Sequence, residues 1–389
     1  ALGNWPATLI VSPRLLPRMD FSEGIAQCAR TLVVVPTLLA GEQNVEDLVE
    51  ALEVRFLANR DAHLQFGLLT DFLDAREETT PQDAPLLELA AQRIEDLNAK
   101  YPAGADAFFL FHRPRRWNPR ERVWMGYERK RGKLGDLNAL LRGRARDRLS
   151  LVGGDLAAML DVRYVITLDT DTQLPRDSAR LLAGTMAHPL NHPRYDEASG
   201  RVTEGYGILQ PRVAVSVADA NRSRYARLHG EETGFDPYTR SVSDVYQDLF
   251  GEGSFIGKGI YDVDAFERAL RGRLRDNCIL SHDLIEGCHA RSGLVGDVCL
   301  YESDQASSIA DASRRHRWMR GDWQLAGWLL RWRGSLPLLS QWKILDNLRR
   351  SLVAPALAGL LLAGWFLLPP AGTWTLAVLA LLLLPALCD

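Results

Sequence analysis

The stretch Arg163-Tyr164-Val165-Ile166-Thr167-Leu168-Asp169-Thr170-Asp171-Thr172 decides how the fold is read. An apolar, β-branched run ends in two carboxylates separated by one residue. Runs of this kind are buried parallel strands. Working outward, Thr31–Pro36 (TLVVVP), Gln65–Asp71 (QFGLLTD) and Ala107–His112 (AFFLFH) have the same character. Between them, Glu42–Leu57 places Val45, Leu48, Leu52 and Phe56 at helical spacing. Pro85–Lys100 reads as a second amphipathic helix, and Leu134–Leu141 starts a third. The βαβα rhythm predicts an α/β fold: an open sheet with helices on both faces. Ligands in such sheets bind beyond the carboxyl ends of the strands, so the polar residues there are the ones to inspect.

The chain has 389 residues, 47% hydrophobic and 24% charged, which excludes a disordered, collagen-like or coiled-coil chain. A net charge of -3 leaves no bulk electrostatic footprint for nucleic acid, and none is expected as a partner. Five scattered cysteines with no CxxC pair argue against a disulfide framework or a zinc site. Cys278, Cys288 and Cys299 read as small core residues.

The mean hydropathy of -0.13 hides a sharp split. No charge falls between Ser351 and Leu387. Leu352–Leu368 and Trp374–Cys388 are apolar runs separated by Pro369-Pro370-Ala371-Gly372-Thr373. A spanning helix needs about 20 apolar residues. The expectation is a C-terminal transmembrane hairpin over 351–389, its second helix cut short, in contact with a lipid bilayer. Arg331, Arg333, Lys343, Arg349 and Arg350 crowd its N-terminal side, which places the preceding domain in the cytoplasm. Trp342, Leu345 and Leu348 predict an amphipathic, interfacial segment over 331–350. Residues 1–30 read as a membrane-proximal lead-in and 31–330 as the catalytic domain. The chain opens without a signal peptide and stops beside an apolar segment, so a fragment of a larger membrane protein is expected.

Asp169 and Asp171 share one direction if the extended form persists beyond the strand. Paired carboxylates repel unless a cation sits between them, and a hard ion such as Mg²⁺ or Mn²⁺ suits them. A capping or turn role is the plainer reading. A strand-DxD also begins haloacid-dehalogenase-type phosphatases, a rival in which the first Asp is a nucleophile. Asp71 ends its strand as an acceptor for a nucleobase or ribose, or as a helix cap. Of the 46 basic residues only five are lysines, and Lys130 and Lys133 share one loop before a helix start. That loop suits an anion or is a solvated basic turn. Gly251–Gly259 (GEGSFIGKG) lacks the Walker spacing; its glycines allow close backbone approach, or a plain turn. In Ser281-His282-Asp283-Leu284-Ile285-Glu286-Gly287, Asp283 is either a general base or part of a capping cluster begun by Ser281. Arg314, Arg315, Arg317, Trp318, Arg320 and Trp323 form a basic-aromatic run. It suits a diphosphate and a sugar ring, or a membrane interface.

The order of these motifs resembles the processive polysaccharide synthases of GT-A fold: VVVPT, LLTD, KLGDLN, DTDT, LQPRV, GSFIGKG, SHDLIEG and RRHRW. More narrowly, Met19–Ile25 (MDFSEGI), Trp124–Asn138 (WMGYERKRGKLGDLN), Thr167–Pro175 (TLDTDTQLP) and Gly251–Phe266 (GEGSFIGKGIYDVDAF) resemble the glycosyltransferase domain of cyclic β-1,2-glucan synthases. Those are large inner-membrane enzymes that also carry a phosphorylase-like domain. The resemblance implies a metal-dependent, inverting transfer of glucose from UDP-glucose to a growing β-glucan acceptor. A related synthase making a cellulose- or hyaluronan-like chain is the alternative. It also implies that Pro36, Thr37 and Asp71 hold the uridine and that Lys133 lies near the donor. Asp169 and Asp171 match the DxD, with Asp171 the more direct metal ligand. Asp283 matches the base. Arg317 and Trp318, with Arg314 preceding them, match the motif that holds diphosphate and acceptor. Two positions depart from the broader superfamily: His282 stands where it has Glu, and Arg314 where it has Gln.

Overall fold

The computed structural model describes residues 14–102, 107–144, 147–153, 159, 161–216, 245–278, 280–302, 308–329 and 336–388. β1 (Thr31–Leu39) is apolar on both faces, and each face has a core to enter. Val33 and Val35 pack into one buried cluster, Leu32 and Val34 into the other. Full burial of such a side chain contributes about 1.5–3 kcal/mol, so the run is stable only as a central strand. α1 (Glu42–Ala58) follows, with Val45, Leu48, Leu52 and Phe56 buried as the spacing predicts. β2 (Leu64–Phe72), α2 (Asp83–Lys100) and β3 (Phe108–Arg113) repeat the pattern. The hairpin β4 (Arg116–Asn118) and β5 (Val123–Met125) then leads to α3 (Arg129–Leu141).

β6 (Ser150–Gly153) precedes β7 (Tyr164–Thr167), β8 (Thr172–Gln173) and α4 (Ser178–Ala187). A second hairpin, β9 (Arg194–Asp196) and β10 (Arg201–Glu204), precedes β11 (Ile208–Val215). α5 (Val245–Phe250), β12 (Gly259–Asp262), α6 (Val263–Leu270), α7 (Asp283–Ala290) and β13 (Ser292–Glu302) complete the sheet region. The described residues form a nine-stranded sheet in the order β6-β3-β2-β1-β7-β12-β11-β13-β8. β3, β2, β1 and β7 run parallel; β12 is antiparallel to both its neighbours, β7 and β11. The expected α/β fold is thus a mixed sheet with helices packed on it, of Rossmann-like character. β11 continues through Pro211, with its register against β13 shifting between Pro211 and Arg212.

The chain divides into two units, residues 1–314 and 315–389. α8 (Ser308–Leu329) runs through the division. The second unit continues with α9 (Leu338–Phe366) and α10 (Ala371–Cys388). The transmembrane hairpin is not borne out: no helix among the described residues is long and apolar enough to cross a membrane. The reason lies in where α9 begins and ends. It spends its first turns on a segment bearing Lys343, Asp346, Arg349 and Arg350, and it stops at Phe366, before the two prolines. The interfacial segment is accordingly the start of α9. Its expected stripe is split, with Trp342 and Leu345 exposed but Leu348 buried. Arg331 and Arg333 lie outside the described residues, as does most of the lead-in's first half. The cysteine reading also needs correction: Cys288 is buried, Cys299 half-buried and Cys278 exposed.

Leu32 and Phe109 are fully buried in the same cluster. Leu32→Ala is expected to lower the unfolding free energy by about 2–5 kcal/mol. Denaturant titration followed by tryptophan fluorescence reads the change.

Candidate active site

The extended form does not persist through the two aspartates. β7 ends at Thr167, and Thr172 N donates to Asp169 O at 3.1 Å, closing a turn. Arg55, buried in α1, fixes that turn. Its guanidinium donates to Thr170 O at 2.8 Å and to Thr172 O at 2.8 and 3.1 Å. Burial pulls the Arg55 pKa down to about 10, and Asp171 opposes the shift. The turn therefore gathers the carboxylates that alternation along a strand was expected to gather.

A third carboxylate joins them. Carboxylate oxygens of Asp169, Asp171 and Glu302 lie within 4.8 Å of one another. Glu302 arrives because β8 pairs with the end of β13, Thr172 opposite Glu302, and Thr172 Oγ1 donates to it at 3.2 Å. The sequence carried a signal for Glu302. It ends an apolar strand, as Asp169 follows one.

Two lysines balance this charge. Lys130 Nζ donates to Asp169 Oδ1 at 2.6 Å and to Gly257 O at 2.8 Å. Lys258 Nζ lies 3.2 Å from Asp169 Oδ2 and also pairs with Glu302. Burial favours a neutral Asp169, but the two ammonium groups outweigh it and hold the carboxyl well below its usual range. Both lysines sit where sequence offered only a basic loop and a glycine-rich turn.

Asp283 packs against Gly257. A Cβ on Gly257 would lie 2.9 Å from both Asp283 carboxylate oxygens, and Gly257 has φ +92°. Only glycine admits the backbone so close in that conformation. Asp283 opens α7, and no side chain caps this helix, so a capping role begun by Ser281 is not what the residues do. His282 Nδ1 lies 3.3 Å from Asp283 Oδ1 and 2.9 Å from Glu286 Oε1, as charge contacts without in-line hydrogen-bond geometry. Burial opposes protonation of His282, but Glu286 and Asp283 overcome it and push the pKa up to about 9. His282 is thus an imidazolium clamped between two carboxylates.

The expected donor residues form a neighbouring cluster. Arg113 Nε and Nη2 donate to Asp71 Oδ1 and Oδ2 at 2.9 and 3.0 Å, and Asp71 is 1% exposed. Lys133 Nζ lies 3.3 Å from Asp71 Oδ2 and donates to Thr37 O. Burial pushes the Lys133 pKa down to about 8 against the pull of Asp71. A Cβ on Gly126 would fall 1.9 Å from Asp71 Oδ2, so glycine is required there. Pro36 and Thr37 lie near the end of β1, beside Leu69 and Thr70 of β2. Lys130 and Lys133, three apart on α3, reach the two clusters from one helix turn. Arg113 is the residue that sequence reasoning missed here. Arg314 lies on α8 in the first unit; Arg317, exposed, and Trp318, half-buried, belong to the second.

No family model matches the chain. It is 46% identical over 371 residues to a cyclic beta-(1,2)-glucan synthase of Rhizobium meliloti, NdvB. The chain is a relative of the cyclic β-(1,2)-glucan synthases. The match covers 95% of this chain and 13% of that synthase. The resemblance read from the motifs is therefore borne out along nearly the whole sequence.

Two outcomes test the site's construction. Gly257→Ala puts a side chain against Asp283 at a left-handed φ and is expected to cost about 1–2 kcal/mol of stability. Equilibrium unfolding measures it. His282 has a folded-state pKa above its unfolded value, so its stabilisation is full below about pH 6.5 and is lost as pH rises through about 9. Unfolding midpoints across that window are expected to fall, and to fall less in Glu286→Gln.

Proposed function

We propose that this chain is an inverting glucosyltransferase that moves glucose from UDP-glucose to a growing β-glucan. The observation that carries the reading is that two acidic groups meet at Gly257–Lys258: Asp169, Asp171 and Glu302 through Lys258, and Asp283 against Gly257. One group suits the donor's phosphates and the other the acceptor's hydroxyl.

A divalent Mg²⁺ or Mn²⁺ fits the first group. Its donors are hard carboxylate oxygens, and the Lys258 ammonium already bridges two of the three carboxylates as a cation would. Asp171 and Asp169, with Glu302, would hold the ion. When bound, it supplies charge neutralisation to a diphosphate. The chain's own residues do the rest. Lys133, Thr37, Pro36 and Asp71 build the wall for the nucleoside end of the donor, with Arg113 locking Asp71 in place. Asp283, 31% exposed at its side chain, accepts the proton of an acceptor hydroxyl. The hydroxyl oxygen then attacks the anomeric carbon from the face opposite the departing diphosphate, so an α-linked donor yields a β-linked product. Arg314 suits the diphosphate, and Arg317 and Trp318 are by type suited to a phosphate and a sugar ring.

The relative is a cyclic β-(1,2)-glucan synthase, which supports that product here. The rest of such a synthase, including a phosphorylase-like domain, would be this segment's partner. Exposed apolar side chains on α9 and α10, among them Leu362, Phe366, Leu376 and Leu381, support contact with a lipid bilayer. That contact fits an inner-membrane enzyme taking its donor from the cytoplasm.

Asp283→Asn is expected to keep UDP-glucose affinity and lose at least a hundredfold in transfer, the usual range for a general base. Asp171→Ala is expected to abolish the Mg²⁺- or Mn²⁺-dependent part of UDP binding in calorimetry. Normal turnover in Asp283→Asn would end the base assignment.

A further inference from the structure

Lys130 is the side chain that joins the two acidic groups, and no motif assigned it a part of its own. Its ammonium contacts Asp169 Oδ1 and the Gly257 carbonyl, on the loop that underlies Asp283. Asp283 and Glu286 also lie within electrostatic reach of it. An ammonium has three N–H donors. Two are committed to Asp169 and Gly257. Among the described residues no acceptor is recorded for the third.

The other lysines of the site are placed differently. Lys133 is 5% exposed at its side chain and is spent on Thr37 O and Asp71. Lys258 is 12% exposed and held by Glu302 and Asp169. Lys130 keeps 22% of its side chain accessible, between the diphosphate side and the base side.

The backbone is bent to put it there. Glu128 and Arg129, immediately before it, have φ of 57° and 47°, a left-handed pair without glycine. Each such residue costs about 1–3 kcal/mol and persists only where its surroundings impose it. Here Gly132 N donates to Glu128 O at 3.0 Å, and the Glu128 carboxylate is pinned by Arg131 and by Asn277 N. The strain starts α3 in the direction that carries Lys130 to Asp169 and Gly257.

We propose that Lys130 is a catalytic residue, the positive charge that meets the nucleoside diphosphate as it departs. The inference rests on the transferase reading above. In the step, the acceptor O–H gives its proton to the Asp283 carboxylate, and the acceptor oxygen bonds to the anomeric carbon. The bond from that carbon to the β-phosphate oxygen breaks. Its electron pair stays on that oxygen, and the third N–H of Lys130 bonds to it. A preorganised charge aimed at a developing anion costs no reorganisation when the bond breaks.

The test uses the intact protein, with Lys130→Met, Lys130→Gln and Lys130→Arg measured beside wild type. Calorimetry follows UDP and UMP binding, and steady-state kinetics follow glucose transfer from UDP-glucose. The expected result for Lys130→Met is a loss of about a hundredfold in kcat, as for removal of one oxyanion donor. UDP binding falls about tenfold while UMP binding is unchanged, since UMP lacks the β-phosphate. Lys130→Arg recovers most of kcat. A lysine that merely positions Asp169 acts through the metal site, so Lys130→Met would abolish the Mg²⁺- or Mn²⁺-dependent part of UDP binding as Asp171→Ala does, and that result overturns the inference. So does a kcat within twofold of wild type. Where Lys130→Met fails to fold, Lys130→Gln reads the same ratio. If wild type itself neither binds UDP nor transfers glucose, the transferase reading fails; if it does both and the variants are indifferent, only the role of Lys130 fails.

Discussion

Five carboxylates gathered this closely would drive themselves apart without cations among them. Two unit charges 4 Å apart interact by about 4 kcal/mol at a typical effective dielectric. Asp169, Asp171, Glu302, Asp283 and Glu286 are held together because Lys130, Lys258 and His282 lie between them, with Arg55 behind the turn. Each cation comes from a different part of the chain. The charge balance is therefore also a set of tethers, tying α1, α3 and the loop before β12 to the carboxyl end of β7, while His282 pairs within the first turn of α7.

Glycine and sheet register make the gathering possible. β12 runs antiparallel to β7, which brings the loop before it, with Gly257 and Lys258, over the two aspartates. The same sheet pairs β13 with β8 and so delivers Glu302. A buried ion pair is weak grounds for stability, because desolvation offsets the attraction. The Asp71–Arg113 pair is better understood as positioning: it occupies both oxygens of a buried carboxylate and leaves Lys133 directed at Thr37.

The helical stretch after the division is built on another principle. Gly364 of α9 packs against Trp374 of α10, where a Cβ would lie 2.4 Å from the indole's own Cβ. Trp365 Nε1 donates to Thr375 Oγ1 at 3.0 Å. Asp322 of α8 is pushed up to about 6 by burial, with Arg350 of α9 opposing. Polar contacts and one close approach hold these helices, while much of their leucine surface stays exposed.

The strands, the first helices, the DxD and the base candidate were all legible, because each is written locally in apolar period and in one or two polar residues. β1 to β3 fall within a few residues of their expected bounds. The membrane-crossing expectation failed because uncharged length was counted without knowing where the helix would begin and end. Arg55 and Arg113 were not legible as site residues, Lys130 showed only as part of a basic loop, and Glu302 only as the end of an apolar strand. Composition and period determined by themselves that the chain folds as a sheet with helices against it, and that carboxylates end its strands. Which cation meets which carboxylate was decided only by the tertiary structure. Ion pairs between residues far apart in the chain, such as Lys258 with Asp169 of a neighbouring strand end, depend on strand order and register, and neither is written in any local window.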